Sequence, residues 1–261
     1  MIMEKYKFVF IVLVYRNTDD LIVFFENFKL SDSKVIVVNS FYDKKSEEKF
    51  KQAALSNNAD FFTVENKGYG AGNNAGINWA LENYVFEYLV ISNADIKILQ
   101  MSLDDICPSV VNAPEIQNKV GHFCNPMQPY DIQIFEKIKY ESFKRQNFYW
   151  AVLFCIGINN LLRRIYRRLH KNGGSIYMCH GSFLIIPFEV IARLRSLYNE
   201  EQFLFCEEDH LARLLKKNGV KTFFNPKISI LHKEDGSVGS IKGKVNEITR
   251  NSYTTFYEYW H

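Results

Sequence analysis

Most of the side chains in this 261-residue chain that could do chemistry fall in four short stretches. The first runs Glu65-Asn66-Lys67-Gly68-Tyr69-Gly70-Ala71-Gly72-Asn73-Asn74-Ala75-Gly76. Within it, Gly70–Ala75 satisfies the G-x-G-x-x-A pattern of a dinucleotide-binding turn, and Asp95 lies about the right distance downstream for a ribose-binding acid. Against that use, Glu65–Tyr69 separate the glycines from the preceding apolar run, and a complete strand–helix–strand unit comes before them. A glycine-rich turn capping a helix is the plainer alternative. The second stretch is Asn93-Ala94-Asp95, where alternate side chains just past a strand end point the same way. The third is Glu207-Glu208-Asp209, three carboxylates opening a helix, where the helix dipole alone favours at least one. Helical spacing sets Glu208 with Leu211 and Leu215, and Glu207 with Leu211 and Leu214, so both lean inward. Asp209 and His210 fall nearer the Arg213–Lys217 face. The fourth is His232, which closes a short apolar run; a lone histidine is more often structural than a ligand. The remaining histidines, His122, His170, His180, His210 and His261, show no metal-ligand spacing.

The elements that must position these groups read as an alternation of strands and helices. Phe8–Tyr15 is a continuous apolar run, as expected of a strand covered on both faces. Leu21, Ile22, Phe24, Phe25 and Phe28 follow at helical spacing within Asp19–Leu30. Val35–Val38 reads as a second strand, Lys44–Ser56 as a polar helix and Asp60–Val64 as a third strand. The glycine- and asparagine-rich loop Glu65–Gly76 then leads into a helix over Ile77–Asn83, and Tyr88–Ser92 is a fourth strand. Such alternation implies an α/β fold with a parallel, doubly wound sheet. Ligands of these sheets sit at the carboxyl ends of the strands, where Asn39, the Asn66–Asn74 loop and Asp95 all fall. Later, Gly181–Pro187 reads as a strand, Phe188–Leu197 and Glu207–Lys217 as helices, and Lys221–Phe224 and Ile228–Leu231 as strands. The tail from Lys242 is mixed and ends in the aromatic-rich Tyr253–Trp260. Residues 104–174 are less regular.

Bulk properties narrow the classes. A net charge of +3 with no dominant basic tract gives no argument for nucleic-acid binding. The five cysteines, Cys107, Cys124, Cys155, Cys179 and Cys206, form no C-x-x-C pair, so reduced thiols in a cytosolic protein are the simplest account. Lys5 and Lys7 before Phe8–Tyr15 give a faint likeness to a signal peptide. Arg16, Asn17, Asp19 and Asp20 follow without a cleavage site, and the run is far too short to span a bilayer. A P-loop and a nucleophile elbow are both absent from the sequence.

Glu65 through Ile77 resembles the E-N-x-G-[FY]-[AG]-x-[AG]-N-N-x-G-[IL] stretch of family-2 glycosyltransferases, most closely the rhamnosyltransferase-like enzymes of bacterial surface polysaccharide assembly. The resemblance extends to Val14-Tyr15-Arg16-Asn17, Val38-Asn39-Ser40 and Ser92-Asn93-Ala94-Asp95. It resumes in Gly181-Ser182-Phe183-Leu184, Phe205-Cys206-Glu207-Glu208 and Pro226 through His232. It implies a GT-A fold, a mostly parallel central sheet with helices on both faces. Residues 1–261 form a single domain in this reading, with about 1–103 binding the nucleotide sugar and about 104–261 the acceptor. Glycines of the loop would let backbone N–H groups approach a diphosphate, with the dipole of the helix opening near Asn74 added. Asn66, Lys67, Gly68, Asn73 and Asn74 would then bind ribose, base or phosphates. Val14, Tyr15 and Arg16 would line the nucleobase pocket, with Asn39 also on the donor. Asn93, Ala94 and Asp95 stand at the D-x-D position, so Asn93 and Asp95, with His232, would hold Mg²⁺ or Mn²⁺ against the diphosphate. Asn in place of the first Asp makes that site less charged. The family has Glu-Asp at the third stretch, with the second residue as general base. Register on Leu211 gives that role to Glu208, with Glu207 and Asp209 as neighbours and Asp209 the fallback.

The resemblance thus implies an inverting, non-processive transfer of one sugar from a UDP- or dTDP-linked donor, with His232 or Arg250 stabilising the leaving diphosphate. The Q-x-x-R-W signature of processive synthases is missing. Two other classes remain open: a nucleotidyltransferase of the same fold, which would carry a basic glycine-rich loop after the first strand, and a non-catalytic nucleotide-sugar-binding module. In the middle, Phe148–Ile158 is strongly apolar, and Leu161–Lys171 alternates Leu and Ile with Arg163, Arg164, Arg167, Arg168 and Lys171. A core helix followed by a solvated basic helix is one reading of 148–171. The other is an interfacial segment on anionic headgroups, which suits a lipid-linked glycan acceptor and a cytoplasmic protein peripheral at the inner membrane face.

Overall fold

The computed structural model describes residues 3–146, 149–233 and 244–261. Its first half follows the apolar runs closely. Strands β1 (Glu4–Val14), β2 (Ser33–Ser40), β3 (Asp60–Val64) and β4 (Tyr84–Asn93) alternate with helices α1 (Thr18–Asn27), α2 (Lys44–Ser56) and α3 (Tyr69–Asn83). Then come β5 (Ile96–Gln100), β6 (Val111–Asn118), α4 (Gln133–Arg145), α5 (Tyr149–Leu169), β7 (Gly174–Ile176) and β8 (Phe183–Pro187). The chain closes with α6 (Phe188–Leu194), α7 (Glu207–Lys217), β9 (Thr222–His232) and α8 (Val245–Trp260).

All nine strands join one sheet, ordered β3-β2-β1-β4-β8-β6-β9-β5, with β7 also on β9. Strands β1 to β4 pair in parallel. Strand β8 runs antiparallel to both β4 and β6, so β6, and β9 parallel to it, point the same way as β4. Six strands therefore share one direction, and their carboxyl ends open on a common edge. Hydrophobic layers cover both faces. One is built on Val9, Ile11, Ile77, Leu89 and Leu184, the other on Phe8, Phe10, Val12, Phe24 and Ile185.

Three expectations need correction. The glycine-asparagine stretch is not a loop as far as Gly76: α3 begins at Tyr69. Tertiary packing overrides the poor helix propensity of Gly and Asn. A Cβ on Gly72 would lie 2.4 Å from Leu13 Cδ1, and one on Gly76 2.4 Å from Ile11 Cγ2, so the glycines let the helix lie flat on β1. Lys221–Phe224 and Ile228–Leu231 are one strand, β9, because the chain absorbs Pro226 in a register shift against β6 between Pro114 and Glu115. The apolar and basic halves of the middle segment form the single helix α5, and no core helix exists there: only Cys155 and Tyr166 of its residues are buried. Phe148 and Lys242, where two expected segments begin, lie outside the described residues. Among the described residues, no helix is long and apolar enough to cross a membrane.

Candidate active site

A cavity of about 780 Å³ opens at the carboxyl ends of β1, β4 and β9. On one side it is walled by Val14 and Tyr15 from the end of β1, Ser40 from β2, and Asn66 and Gly68 from the loop before α3. Lys139 and Phe143 of α4, Val152 and Ile156 of α5, and Thr249 and Tyr253 of α8 form the opposite wall. Asn93, Ala94, Asp95 and His232 lie in the same cavity as Glu207, Glu208 and Asp209.

Asp95 and His232 are 137 residues apart in the chain, yet the β5–β9 ladder makes them neighbours. Ile96 pairs with His232, and the Lys233 N–H donates to the Asp95 carbonyl at 3.0 Å. His232 Nε2 sits 3.2 Å from Asp95 Oδ1 and 3.4 Å from Asn93 Nδ2. Both side chains of the Asp95–His232 pair are nearly closed to water, and His232 Nδ1 has no hydrogen-bond partner. The Tyr69 hydroxyl lies 3.2 Å from Asn93 Oδ1 and 3.0 Å from the Gly181 carbonyl, which ties α3 to this corner. The donor set is one carboxylate and one imidazole, with Asn93 turning its Nδ2 to His232 and its oxygen to the Tyr69 hydroxyl. Among the described residues no cluster of three or more His, Cys, Asp or Glu side chains is arranged for a metal. The set fits a hard cation that takes its other ligands from substrate phosphates and water, as Mg²⁺ commonly does.

His180 belongs to the same corner and had no signal in the sequence. Its ring centroid is 5.5 Å from that of His232, and its Nδ1 is 2.9 Å from Ser182 Oγ. A one-dimensional spacing rule could not find it, because the Asn125 side chain, from a distant loop, holds its backbone N–H at 2.8 Å. Asn17 and Asp20 also line the cavity, joined by an amide-to-carboxylate bond of 2.5 Å.

The carboxylates are placed by strained backbone. Phe205 and Cys206 both take left-handed conformations, φ 72° and 66°, immediately before α7. Such residues cost of order 1–3 kcal/mol each and persist only where the surroundings over-determine them. The turn swings the start of α7 into the cavity. Glu207 and Asp209 are buried, and Glu208 is partly exposed, with its Oε1 accepting from the Gly181 N–H at 3.2 Å. Glu207 Oε1 and Asp209 Oδ1 have no hydrogen-bond partner. Burial pushes all three carboxyl groups up from their ordinary range. Asp209 reaches about 6, with Lys139 acting in the opposite direction. Asp209 and His210, expected nearer the Arg213–Lys217 face, are buried there, because α8 covers that side. Trp260 Nε1 donates to His210 Nδ1 at 3.2 Å, and burial pushes the His210 imidazole down to about 4.

Several expected donor ligands stand elsewhere. Asn74 is 1% exposed and fastens the 197–200 segment: its Nδ2 donates to the Tyr198 carbonyl at 2.9 Å and its Oδ1 accepts from the Leu197 N–H at 3.1 Å. Asn73 is buried and donates to the Tyr69 carbonyl at 3.0 Å within α3. Asn39 donates to Thr63 Oγ1 at 3.2 Å across the β2–β3 pair, leaving Ser40 to face the cavity. Lys67 is exposed beside Glu65, 3.4 Å away. The Arg16 guanidinium stacks 4.0 Å from the Tyr42 ring centroid. Arg16, Asn39, Lys67, Asn73, Asn74 and Arg250 do not line the cavity.

The fold is that of the GT-A glycosyltransferases, an α/β architecture with a mostly parallel central sheet. Three solved structures show it. GalNAc-T7 with UDP, GalNAc and Mn²⁺ aligns with TM-score 0.55 at 11% identity, over 87% of this chain and 44% of that one. The mannosyltransferase PcManGT from Pyrobaculum calidifontis, in complex with GDP-Man and Mn²⁺, aligns with TM-score 0.53 at 14% identity, over 94% of this chain and 63% of that one. S. aureus TarS aligns with TM-score 0.52 at 11% identity, over 87% of this chain and 36% of that one. The chain therefore spans less than two thirds of each of these relatives. No family model matches the sequence, and no curated protein matches it.

Proposed function

We propose that this protein is an inverting, non-processive glycosyltransferase that moves one sugar from a nucleoside-diphosphate donor, UDP- or dTDP-linked, to a glycan acceptor. The observation that carries the reading is the meeting of two groups in one cavity: Asp95, Asn93 and His232 on the strand ends, and Glu207, Glu208 and Asp209 at the start of α7. The fold supports it, since two of the similar structures hold a nucleotide or nucleotide sugar together with Mn²⁺. About residues 1–103 serve the donor and about 104–261 the acceptor.

In this reading, Val14, Tyr15 and Ser40 receive the nucleoside, and Asn66 and Gly68 approach the diphosphate. Asp95 and His232, with Asn93 beside them, would hold Mg²⁺ or Mn²⁺. A bound divalent cation supplies charge compensation for the departing diphosphate. Glu208 takes the proton from the acceptor hydroxyl. As that proton leaves, the hydroxyl oxygen bonds to the anomeric carbon from the face opposite the diphosphate, and the bond from carbon to the diphosphate oxygen breaks. Burial raises the Glu208 carboxyl above its ordinary range, which suits a group that must take up a proton. Gly181, whose N–H binds one Glu208 oxygen, fixes the base in place. The acceptor is read as a lipid-linked glycan of bacterial surface polysaccharide assembly, met at the inner face of the cell membrane.

The test has two parts. A panel of UDP, dTDP and GDP, each with and without Mn²⁺, should raise the unfolding temperature for one nucleotide only, and Asp95→Ala should abolish the shift. With the matching donor, Glu208→Gln should lose transfer by about 10²–10⁴-fold while keeping nucleotide binding. Undiminished transfer in that variant removes the proposed base.

A further inference from the structure

Helix α5 reverses the usual arrangement of a surface helix. Its polar side chains fasten it to the protein: Asn159 donates to the Met127 carbonyl at 2.8 Å, and Arg163 to the Phe123 and Cys124 carbonyls at 2.8 and 3.0 Å. Arg167 donates to the Asn125 carbonyl at 2.8 Å and to Glu115 at 2.6 Å. Its large apolar side chains point away. Trp150, Leu153, Phe154, Leu161 and Leu169 are between 57% and 73% exposed, and Ile165 is 43% exposed. A helix that faces water carries the opposite pattern.

Positions 150, 153, 154, 157, 161, 164, 165 and 168 fall on one stripe at helical spacing, so Arg164 and Arg168 complete the apolar face at its carboxyl-terminal end. From Tyr149 to Lys171 the chain holds no Asp or Glu. The stripe is about 28 Å long at 1.5 Å per residue, and the helix does not meet the requirements of a membrane span. A second copy of the chain packed on this stripe would bring four arginines together with no carboxylate from either helix to meet them. The surface of an anionic bilayer satisfies both, its headgroups the arginines and the acyl chains beneath them the apolar side chains.

We propose that α5 is an in-plane anchor that docks this protein on an anionic bilayer, with Trp150, Leu153, Phe154, Leu161 and Ile165 below the headgroups and Arg164 and Arg168 among the phosphates. The same helix lines the candidate active site through Val152 and Ile156, so docking sets the cavity at headgroup level, where a lipid-linked acceptor is delivered. That last step rests on the glycosyltransferase reading; the anchor does not.

The experiment uses the full chain with vesicles of phosphatidylcholine alone or enriched in phosphatidylglycerol, read by co-sedimentation. The unmodified protein should sediment with the phosphatidylglycerol vesicles and be released by salt. Leu153→Glu with Leu161→Glu should weaken partition by about a hundredfold, and Arg164→Ala with Arg168→Ala by about thirtyfold on the anionic vesicles only. Both variants should keep the parent's unfolding temperature, since these side chains touch water and not the core. Equal partition of parent and Leu153/Leu161 variant, or no partition of the parent, overturns the anchor. So does a parent dimer that the variant converts to monomer without any vesicle binding. Nucleotide-induced stabilisation of the same samples separates the two readings: sedimentation without a nucleotide shift leaves the anchor standing and removes the donor site, and the reverse result removes only the anchor.

Discussion

Gly68 offers the sharpest test of how the cavity is held open. It sits at φ 105°, ψ 178°, a region essentially confined to glycine. A Cβ added there would lie 2.0 Å from the Phe203 carbonyl oxygen, which also accepts the Tyr69 N–H at 3.0 Å. Gly68→Ala therefore forces two backbone segments apart: the loop opening α3 and the loop that leads into the carboxylates. Backbone strain of about 1–3 kcal/mol, overpacking of about 1–3 kcal/mol and loss of one hydrogen bond worth about 1 kcal/mol sum to roughly 5 kcal/mol. That is a large share of the stability of a typical domain. Gly219 is the control, because it also has positive φ, 67°, but an added Cβ would meet nothing within 4 Å. Gly219→Ala should cost only about 1–2 kcal/mol. Urea unfolding of both variants gives the comparison, and the Mn²⁺-dependent nucleotide shift reports the cavity. If Gly68→Ala costs no more than Gly219→Ala, the close approach to Phe203 does not organise the site.

Three further outcomes are expected. Asn74→Ala strands the Leu197 and Tyr198 N–H groups, both of which donate to Asn74 Oδ1. It should lose about 3 kcal/mol in urea unfolding with nucleotide affinity unchanged, and a selective loss of affinity would return Asn74 to the donor site. Asp209 has a folded-state pKa raised from 3.8 to about 6, so the folded chain binds the extra proton and stability falls as pH rises through that window. Asp209→Asn should match the parent below about pH 4 and exceed it by up to about 3 kcal/mol above pH 6. A less stable variant at pH 7.5 would mean that a positive group holds the carboxylate ionised. For Glu208, whose pKa burial also raises, transfer should climb with pH as the carboxyl ionises, and a pH-independent rate would exclude it as the base.

The parallel half was legible because its strands are buried on both faces and announce themselves as apolar runs. Lys44–Ser56 and Asp60–Val64 were readable to the residue. Strands β5 and β6 were not, since Pro114 interrupts β6 and Ile96–Gln100 is short and largely exposed. The Gly-Asn stretch marked the right place for the wrong local reason. Its glycines serve close helix–strand packing, and Asn73 and Asn74 look into the fold. The carboxylates were visible as a run, but their shared access to the cavity depends on the left-handed pair Phe205–Cys206, which has no glycine to betray it. The backbone of His180 is held at the site by the Asn125 side chain, a contact 55 residues long in sequence.

The excursion that carries α4 and α5 leaves and rejoins the sheet through a narrow neck. Gln128 and Met178 exchange backbone hydrogen bonds, Gln128 N to the Met178 carbonyl at 3.2 Å and Met178 N to the Gln128 carbonyl at 2.9 Å. Chain ends held side by side let the segment between them lengthen at only a slow entropic cost, roughly 0.6 kcal/mol per doubling. Asp95 and His232, locked together across β5 and β9, lie outside that neck. If the proposed function holds, length change between 128 and 178 is the route by which acceptor preference would vary, through Lys139, Phe143, Val152 and Ile156 of the cavity wall, while the strand-end corner keeps its register.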